Sequence, residues 1–289
     1  MGMTLGVAIL TMGTRPKELA ALLSSVRAQT TSATRTVVVG NGCSLADLGL
    51  PDWVEVVELT ENLGVTGGRN VALDHLRDMD LVLDLDDDGL LVSDTDFERI
   101  VGLFEADPRL GIVGFRIADE TGFTQRRHVP RLRSGDPMRG GRVTTFLGGA
   151  HVLSGKMLAQ VGHWPDAFFF SHEETDMAWR ALDAGWEIRY EPDLLLQHPR
   201  TSPARHAVFY RTNARNRVYL ARRHLPAPLV PVYLGIWVAM TMARTRDAAG
   251  LRAWFAGFKE GWRTTCGPRR PLRWSTVWTM TRLGRPPVL

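Results

Sequence analysis

An α/β fold, with a mostly parallel sheet covered by helices on both faces, is predicted by three features of this 289-residue sequence. Short apolar runs, LGVAILT (5–11), RTVVVGN (35–41), VEVVELT (54–60) and DLVLDL (80–85), read as strands buried on both faces. Helical patterns, PKELAALLSSVRAQ (16–29) and NVALDHLRD (70–78), lie between them. Polar residues gather where the strands end: Thr11 to Arg15, Gly40 and Asn41, and the aspartates after Leu85. In open parallel sheets ligands bind outside the carboxyl ends of the strands, so these three ends predict one crevice suited to a nucleotide.

Past residue 95 the chain continues with a helix (DFERIVGLFEAD), a strand (GIVGFRI) and an irregular basic segment over 125–142. FLGGAHVLSGKMLAQVG then reads as a strand leading into a helix. A further helix begins near His172–Asp176 and stops at Gly185. A strand (EIRYEP) and a loop ending in QHPRTSP (197–203) complete the body. The predicted division is a catalytic domain over 1–222 and a helical, basic, amphipathic region over 223–289.

Composition is that of an ordinary globular protein, 44% hydrophobic and 23% charged, which excludes a disordered or fibrous chain. Cys43 and Cys266 are far apart and form no disulfide framework or metal spacing, which suggests a reducing compartment. MGMTLGVAIL lacks a basic n-region and a cleavage site and reads as a first strand. The net charge of +4 hides an asymmetry: from Arg244 onward there are ten Lys or Arg against two acids, and four of the nine tryptophans. The rest of the chain is mildly acidic. Such a tail fits an anionic membrane surface, and nothing points to nucleic acid.

Residues 225–243 carry no charge, but Pro226, Pro228 and Pro231 interrupt them, so a buried or interfacial helix is expected rather than a membrane span. In LRAWFAGFKEGWR (251–263), Leu251, Trp254, Phe255, Phe258 and Trp262 fall along one helical face.

The segment LVLDLDDDGLL (81–91) places four aspartates in five positions at a strand end. Crowded carboxylates repel unless they splay into water or hold a cation, and divalent cations favour carboxylate oxygens. Read alone, the cluster is equally a solvated turn capping the next helix, with Asp84 paired to an Arg. The bland reading of Glu173–Glu174 is an acidic first turn complementing a helix dipole, and Asp176 reads as a structural helix-start residue.

The ordered series VVVGNG, ENLGVTGGRNVAL, LDLDDD, GGAHVLSGKMLAQVG, FFFSHEETDMAWRALDAGWEI and QHPRTS resembles inverting family 2 glycosyltransferases, from about residue 4 to about 220. The resemblance implies a GT-A-like, Rossmann-like sheet and metal-dependent sugar transfer from a nucleoside diphosphate donor to an acceptor hydroxyl. It implies that Asp88 serves an Mn²⁺ or Mg²⁺ ion, that His198 serves that ion or the diphosphate, and that Asp86 and Asp87 face the nucleotide sugar. Thr11, Arg15 and Asn41 would line the nucleoside, with Arg69 and Asn70 nearby, where glycines allow close backbone approach. Glu174, the second member of the pair with Glu173, would be the general base, under an apolar wall of Phe168, Phe169, Phe170 and Trp179.

Arg126, Arg127, His128, Arg131 and Arg133 form a basic run where acceptors dock in this family; with Trp179 they are candidates for holding an acceptor such as a lipid-linked diphosphate glycan. The other reading of the run is a solvated loop. Three departures stand out. Gly40 replaces an aspartate common in relatives, Glu174 replaces the commoner aspartate, and Arg270 stands where processive synthases carry Gln in Q-x-x-R-W, which points to single-sugar transfer. UDP-sugar is the first donor expected and dTDP-sugar the second, with the protein cytoplasmic and peripheral on the inner face of the cell membrane. Natural-product tailoring, a non-catalytic sugar-nucleotide-binding module and a haloacid-dehalogenase-like phosphatase are the alternatives.

Overall fold

The computed structural model describes residues 2–132, 135–200 and 207–289. The body opens with β1 (Leu5–Thr11), α1 (Pro16–Arg27), β2 (Arg35–Gly40), β3 (Glu55–Glu58), α2 (Gly64–His75) and β4 (Leu81–Asp86). It continues through β5 (Leu90–Leu91), α3 (Asp96–Ala106), β6 (Leu110–Ala118), β7 (Gly141–Arg142), β8 (Ala150–Ser154), α4 (Gly155–Val161), α5 (Glu173–Asp183) and β9 (Glu187–Gln197). Four helices follow: α6 (Ala207–His224), α7 (Leu229–Arg244), α8 (Ala248–Arg263) and α9 (Trp274–Arg282).

The strands form one sheet in the order β3-β2-β1-β4-β8-β6-β9-β5, with β7 joined to β9. The first four strands are parallel, as their apolar runs predict, with Ile9 opposite Val38 and Leu85. Beyond them the sheet is mixed, because β8 runs antiparallel to both β4 and β6, and β5 and β7 run antiparallel to β9. The reversal at β8 matters for the site. It brings the Gly148–Gly149 turn, which begins β8, beside the end of β4, where the Asp86 N–H donates to the Gly149 carbonyl at 3.0 Å.

Alternate side chains on the buried strands feed two cores. One face holds Val7, Ile9, Leu19, Leu22, Leu83 and Phe97 under α1 and α3. The other joins Ala8, Val37, Leu153 and Met177 to Val218, Tyr233, Val277 and Met280. The C-terminal helices therefore share a core with the sheet, and residues 222 and 223 lie inside α6.

Glycine, not a continuous aromatic face, seats α8 on α6. A Cβ at Gly257 would strike the Arg211 backbone, and one at Gly261 would come within 2.7 Å of Val218 Cβ. Trp254 is buried with this glycine face, whereas Phe255 and Trp262 are exposed, so the predicted aromatic face is split. α7 tolerates Pro231 in its first turn, where the missing N–H has no helical acceptor. Among the described residues no helix is long and apolar enough to cross a membrane.

Asp176 ties the helical layers together. Its buried carboxylate accepts from His224 at 2.5 Å, Arg180 at 2.7 Å and Arg223 at 2.9 Å. Burial opposes its charge, but these three partners outweigh burial and hold the carboxyl far below the usual range. Its structural reading from sequence therefore stands. The next acid along, Asp183, caps α9 by accepting from the Arg273 N–H and the Thr276 hydroxyl.

Candidate active site

The end of β4 opens a turn in which Asp87 and Asp88 are buried and Asp86 is half-buried. Arg15 bridges two of the three carboxylates, and Thr11, His198 and Arg69 each hold one. Asp87 accepts from the Thr11 hydroxyl at 2.6 Å and from Arg15 at 3.3 Å. Asp88 meets Arg15 at 2.5 Å and His198 Nε2 at 3.1 Å. Asp86 lies 3.3 Å from Arg69. Burial pushes the Asp87 carboxyl upward despite Thr11 and Arg15. Burial opposes the charge on Asp88 too, but His198 and Arg15 prevail and lower it. His198 is raised in turn, chiefly by its hydrogen bond to Asp88.

Asp86, Asp88 and His198 offer one ligand atom each, all within 4.8 Å of one another. Two carboxylates and an imidazole suit Mn²⁺ or Mg²⁺, so the residues present fit a divalent cation. Arg15 partly neutralises the cluster from its outer side.

The other half of the site comes from α5. Glu173 is 2% exposed and its Oε2 has no hydrogen-bond partner among the described residues. Burial and the neighbouring Glu174 push its carboxyl up to about 8. Burial raises Glu174 as well, against the pull of Arg69. Arg69 is the link between the halves: it is buried at 4% exposure, donates to the Gly148 carbonyl at 2.5 Å, and carries its charge beside Asp84, Asp86, Glu173 and Glu174. The Gly148–Gly149 turn fits between the carboxylates. A Cβ at Gly148 would collide with Glu174 Oε1, and one at Gly149 would sit 3.1 Å from Asp86 Oδ2.

The approach to α5 is strained. Phe169, Ser171 and His172 all have positive φ (63°, 76° and 71°) without being glycine. Such residues persist only when their surroundings over-determine them. Here the Asn216 side-chain amide, fully buried on α6, lies 2.9, 2.8 and 2.7 Å from the carbonyls of Phe168, Phe170 and Ser171. Arg215 also donates to the Phe168 carbonyl, and Asn213 meets His172 Nε2 at 3.1 Å. From the other side, the Val65 N–H at the start of α2 donates to the Phe169 carbonyl at 2.7 Å.

Several sequence expectations change in detail. Asp84 faces His151 at 3.1 Å in the core, with the expected arginine, Arg69, near enough to feel its charge. The glycines of ENLGVTGGRN serve packing: Gly64 (φ 74°) leaves room for the Phe169 carbonyl, and Gly68 lies against Leu10. Asn41 is saturated by Asn62, the Gly64 carbonyl and the Leu63 N–H, and Asn70 by Trp164 and Asp166. Both asparagines hold loops around the crevice. Gly40 has no room for a side chain, since a Cβ would lie 2.7 Å from the Cys43 carbonyl oxygen.

Trp179 is buried edge-on to His224 and Tyr233, and Phe168 is buried too, while Phe169 and Phe170 are exposed. Of the basic run, Arg131 donates to the carbonyls of Arg139 and Gly140, and Arg126 to that of Leu132. Arg126 to His128 form a single turn of 3₁₀ helix, and the charge of His198 reaches His128. Arg133 lies outside the described residues. Asn216 and Asn213 carry no motif that announces their part in the site, whereas the Gly148–Gly149 turn opens the GGAHVLSGKMLAQVG segment, whose glycines gave no sign of their contact with the carboxylates.

Among solved structures, the chain resembles GalNAc-T7 with UDP, GalNAc and Mn²⁺, at 12% identity and a TM-score of 0.66, covering 92% of this chain and 55% of that one. It resembles S. aureus TarS at 16% identity and a TM-score of 0.62, covering 90% and 49%. It also resembles the mannosyltransferase PcManGT from Pyrobaculum calidifontis, with GDP-Man and Mn²⁺, at 17% identity and a TM-score of 0.59, covering 98% and 84%. The chain thus spans about half the length of the first two, and the likeness establishes a GT-A fold. No curated protein matches the sequence. The family model of glycosyl transferase family 2 matches residues 7–160, more than half of the chain and the whole of the Asp86–Asp88 turn. The chain belongs to glycosyl transferase family 2.

Proposed function

We propose that the protein transfers one sugar from a nucleoside diphosphate donor, UDP-sugar before dTDP-sugar, to an acceptor hydroxyl with inversion at the anomeric carbon. The observation that carries this reading is the meeting of Asp86, Asp88 and His198 on one point, with Glu173–Glu174 held opposite them across Arg69 and the Gly148–Gly149 turn.

Thr11 and Arg15 fix Asp87 at the floor of the donor crevice. Asp88 and His198 would hold Mn²⁺ or Mg²⁺, and Asp86, whose ligand atom lies within 4.8 Å of theirs, would help position the donor. A bound divalent ion offsets negative charge developing on the leaving diphosphate. Two carboxyls on one buried helical turn cannot both ionise cheaply, so near neutrality the pair keeps one proton. Glu173, with an unpartnered oxygen, keeps it, and Glu174, against Gly148 and near Arg69, stays ionised. The Glu174 carboxylate takes the proton of the acceptor hydroxyl as that oxygen bonds to the anomeric carbon. The bond to the diphosphate oxygen breaks on the opposite face, which inverts the centre.

Domain use follows the same logic, with residues 1–222 supplying donor and base, and 223–289 bracing α5 and meeting the acceptor's surroundings. Exposed Phe255, Trp262, Trp274 and Trp278 beside the tail's arginines support peripheral attachment to an anionic membrane, on its cytoplasmic face, with a lipid-linked glycan as acceptor. Glu174→Gln tests the assignment. Turnover falls by about 10³-fold or more while donor binding holds; near-normal turnover would overturn Glu174 as the base.

A further inference from the structure

Against α5 lies a cavity of about 60 Å³ lined by Thr144, His172, Arg217, Tyr233, Trp237 and Arg285. A single water needs roughly 10–15 Å³ by the same kind of measure, so the space admits a tetrahedral oxyanion.

Its lining is cationic and incompletely satisfied. On α6, Arg211 and Arg215 reach Glu260, and Arg223 reaches Asp176. Arg217, on the same helix, has no ion pair among the described residues. Its guanidinium lies 3.2 Å from the Trp237 ring centroid, and its hydrogen bonds go only to neutral oxygens, Asn213 Oδ1 at 3.1 Å and the Tyr233 hydroxyl at 3.4 Å. Arg285 approaches Arg217 closely enough for the two charges to repel, and its side chain has no hydrogen-bond or ion-pair partner among the described residues. Two further polar atoms of the lining are buried and unpartnered, Thr144 Oγ1, on a residue 2% exposed, and Trp237 Nε1.

Buried polar atoms without partners are rare, and a desolvated pair of guanidinium groups without an anion is costly. Four donor groups line one small space, and the acceptors that Arg217 does reach, Asn213 Oδ1 and the Tyr233 hydroxyl, are neutral, which leaves the lining complementary to a phosphate. We propose that this cavity binds a phosphate group, and that it belongs to the acceptor. His172 and Thr175 of the lining flank Glu173 and Glu174 in sequence, so an anion here is anchored one helical turn from the base. The acceptor assignment rests on the transferase reading; phosphate binding in the cavity does not.

The test uses the full chain in EDTA, so that the Asp86–Asp88–His198 cluster holds no metal and the donor crevice gains no phosphate affinity from one. Inorganic phosphate and glycerol 1-phosphate are titrated to about 10 mM, following melting temperature and tryptophan fluorescence. Both are expected to stabilise the protein, the ester more strongly. Arg217→Gln and Arg285→Gln are each expected to weaken binding about tenfold or more. Arg285 is half-buried near the end of the chain, so its variant guards against a folding failure at Arg217. An unchanged Mn²⁺-dependent nucleotide shift certifies the fold of either. No stabilisation by either ligand, or stabilisation that survives both substitutions, overturns the site. Tighter binding of inorganic phosphate than of the ester overturns the acceptor assignment. A failed transferase reading would appear separately, as loss of the metal-dependent nucleotide response in the unmodified protein.

Discussion

Asn216→Ala removes one buried amide and leaves the backbone of α6 untouched. The Arg215 guanidinium still serves the Phe168 carbonyl, but those of Phe170 and Ser171 lose their donor. An unsatisfied buried acceptor costs about 1–3 kcal/mol. The loop it restrains holds three positive-φ residues, each disfavoured by roughly 1 kcal/mol, and that strain is released once the clamp is gone. Relief of strain offsets part of the loss, so the net destabilisation is about 2 kcal/mol. The catalytic effect is larger in proportion. Glu173 follows His172 directly, and a shift of about 1 Å in a positioned group lowers turnover on the order of 10²-fold.

Urea unfolding gives the first quantity, and nucleoside diphosphate release gives the second, using whichever donor stabilises the protein best. Loss of turnover with an altered pH profile and retained donor binding is expected. An Asn216→Ala protein that is less stable but turns over normally would refute the idea that this amide positions the glutamates.

Three other outcomes follow from the same geometry. Glu173 binds a proton more tightly in the folded protein than in the unfolded chain, because burial lifts its carboxyl to about 8. Its contribution to stability is therefore complete below the ordinary glutamate range and is lost as pH rises through about 8. Glu173→Gln should flatten the fall in melting temperature between about pH 5 and 8 and leave the rising limb of the pH–rate profile, set by Glu174, in place; an undiminished fall in melting temperature would show that Glu173 does not keep the proton. Gly148→Ala drives a methyl group into Glu174 Oε1, and we expect a 1–3 kcal/mol loss of stability and about 10²-fold lower turnover, with Mn²⁺-dependent nucleotide binding kept. Trp278→Ser with Trp262→Ser, both exposed and outside the shared core, should reduce sedimentation with anionic vesicles without altering the melting temperature; undiminished sedimentation would contradict attachment through these side chains.

What the sequence made legible was the part governed by local pattern. The four parallel strands, α1, α3 and α5 fall within a few residues of their predicted places, because apolar runs and helical spacing report burial directly. The acidic turn was also readable, since four aspartates at a strand end demand an electrostatic explanation. The reversal of β8 was not, as a short buried strand looks alike in either direction. Nor was the partner of Asp84, because His151 is brought beside it only by that reversal. Asn216 and Arg217 sit in an arginine-rich helix whose pattern gives no hint that one clamps a strained loop and the other faces a cavity. Their roles arise from contacts more than forty residues away in the case of Asn216, and from three separate helices in the case of Arg217. Asn41 and Asn70, expected from motif to line the nucleotide, spend their side-chain hydrogen bonds on neighbouring loops instead.

The central claim is that Asp86, Asp88 and His198 form a metal-dependent nucleotide site. The direct measurement is calorimetric titration of UDP, dTDP and GDP, each with Mn²⁺ and with EDTA, into the unmodified protein and into Asp88→Asn. One nucleotide should bind with Mn²⁺ and lose at least about tenfold in affinity on chelation, and again on removal of the Asp88 charge. Binding that is indifferent to both metal and Asp88, or no binding of any of the three, would contradict the account.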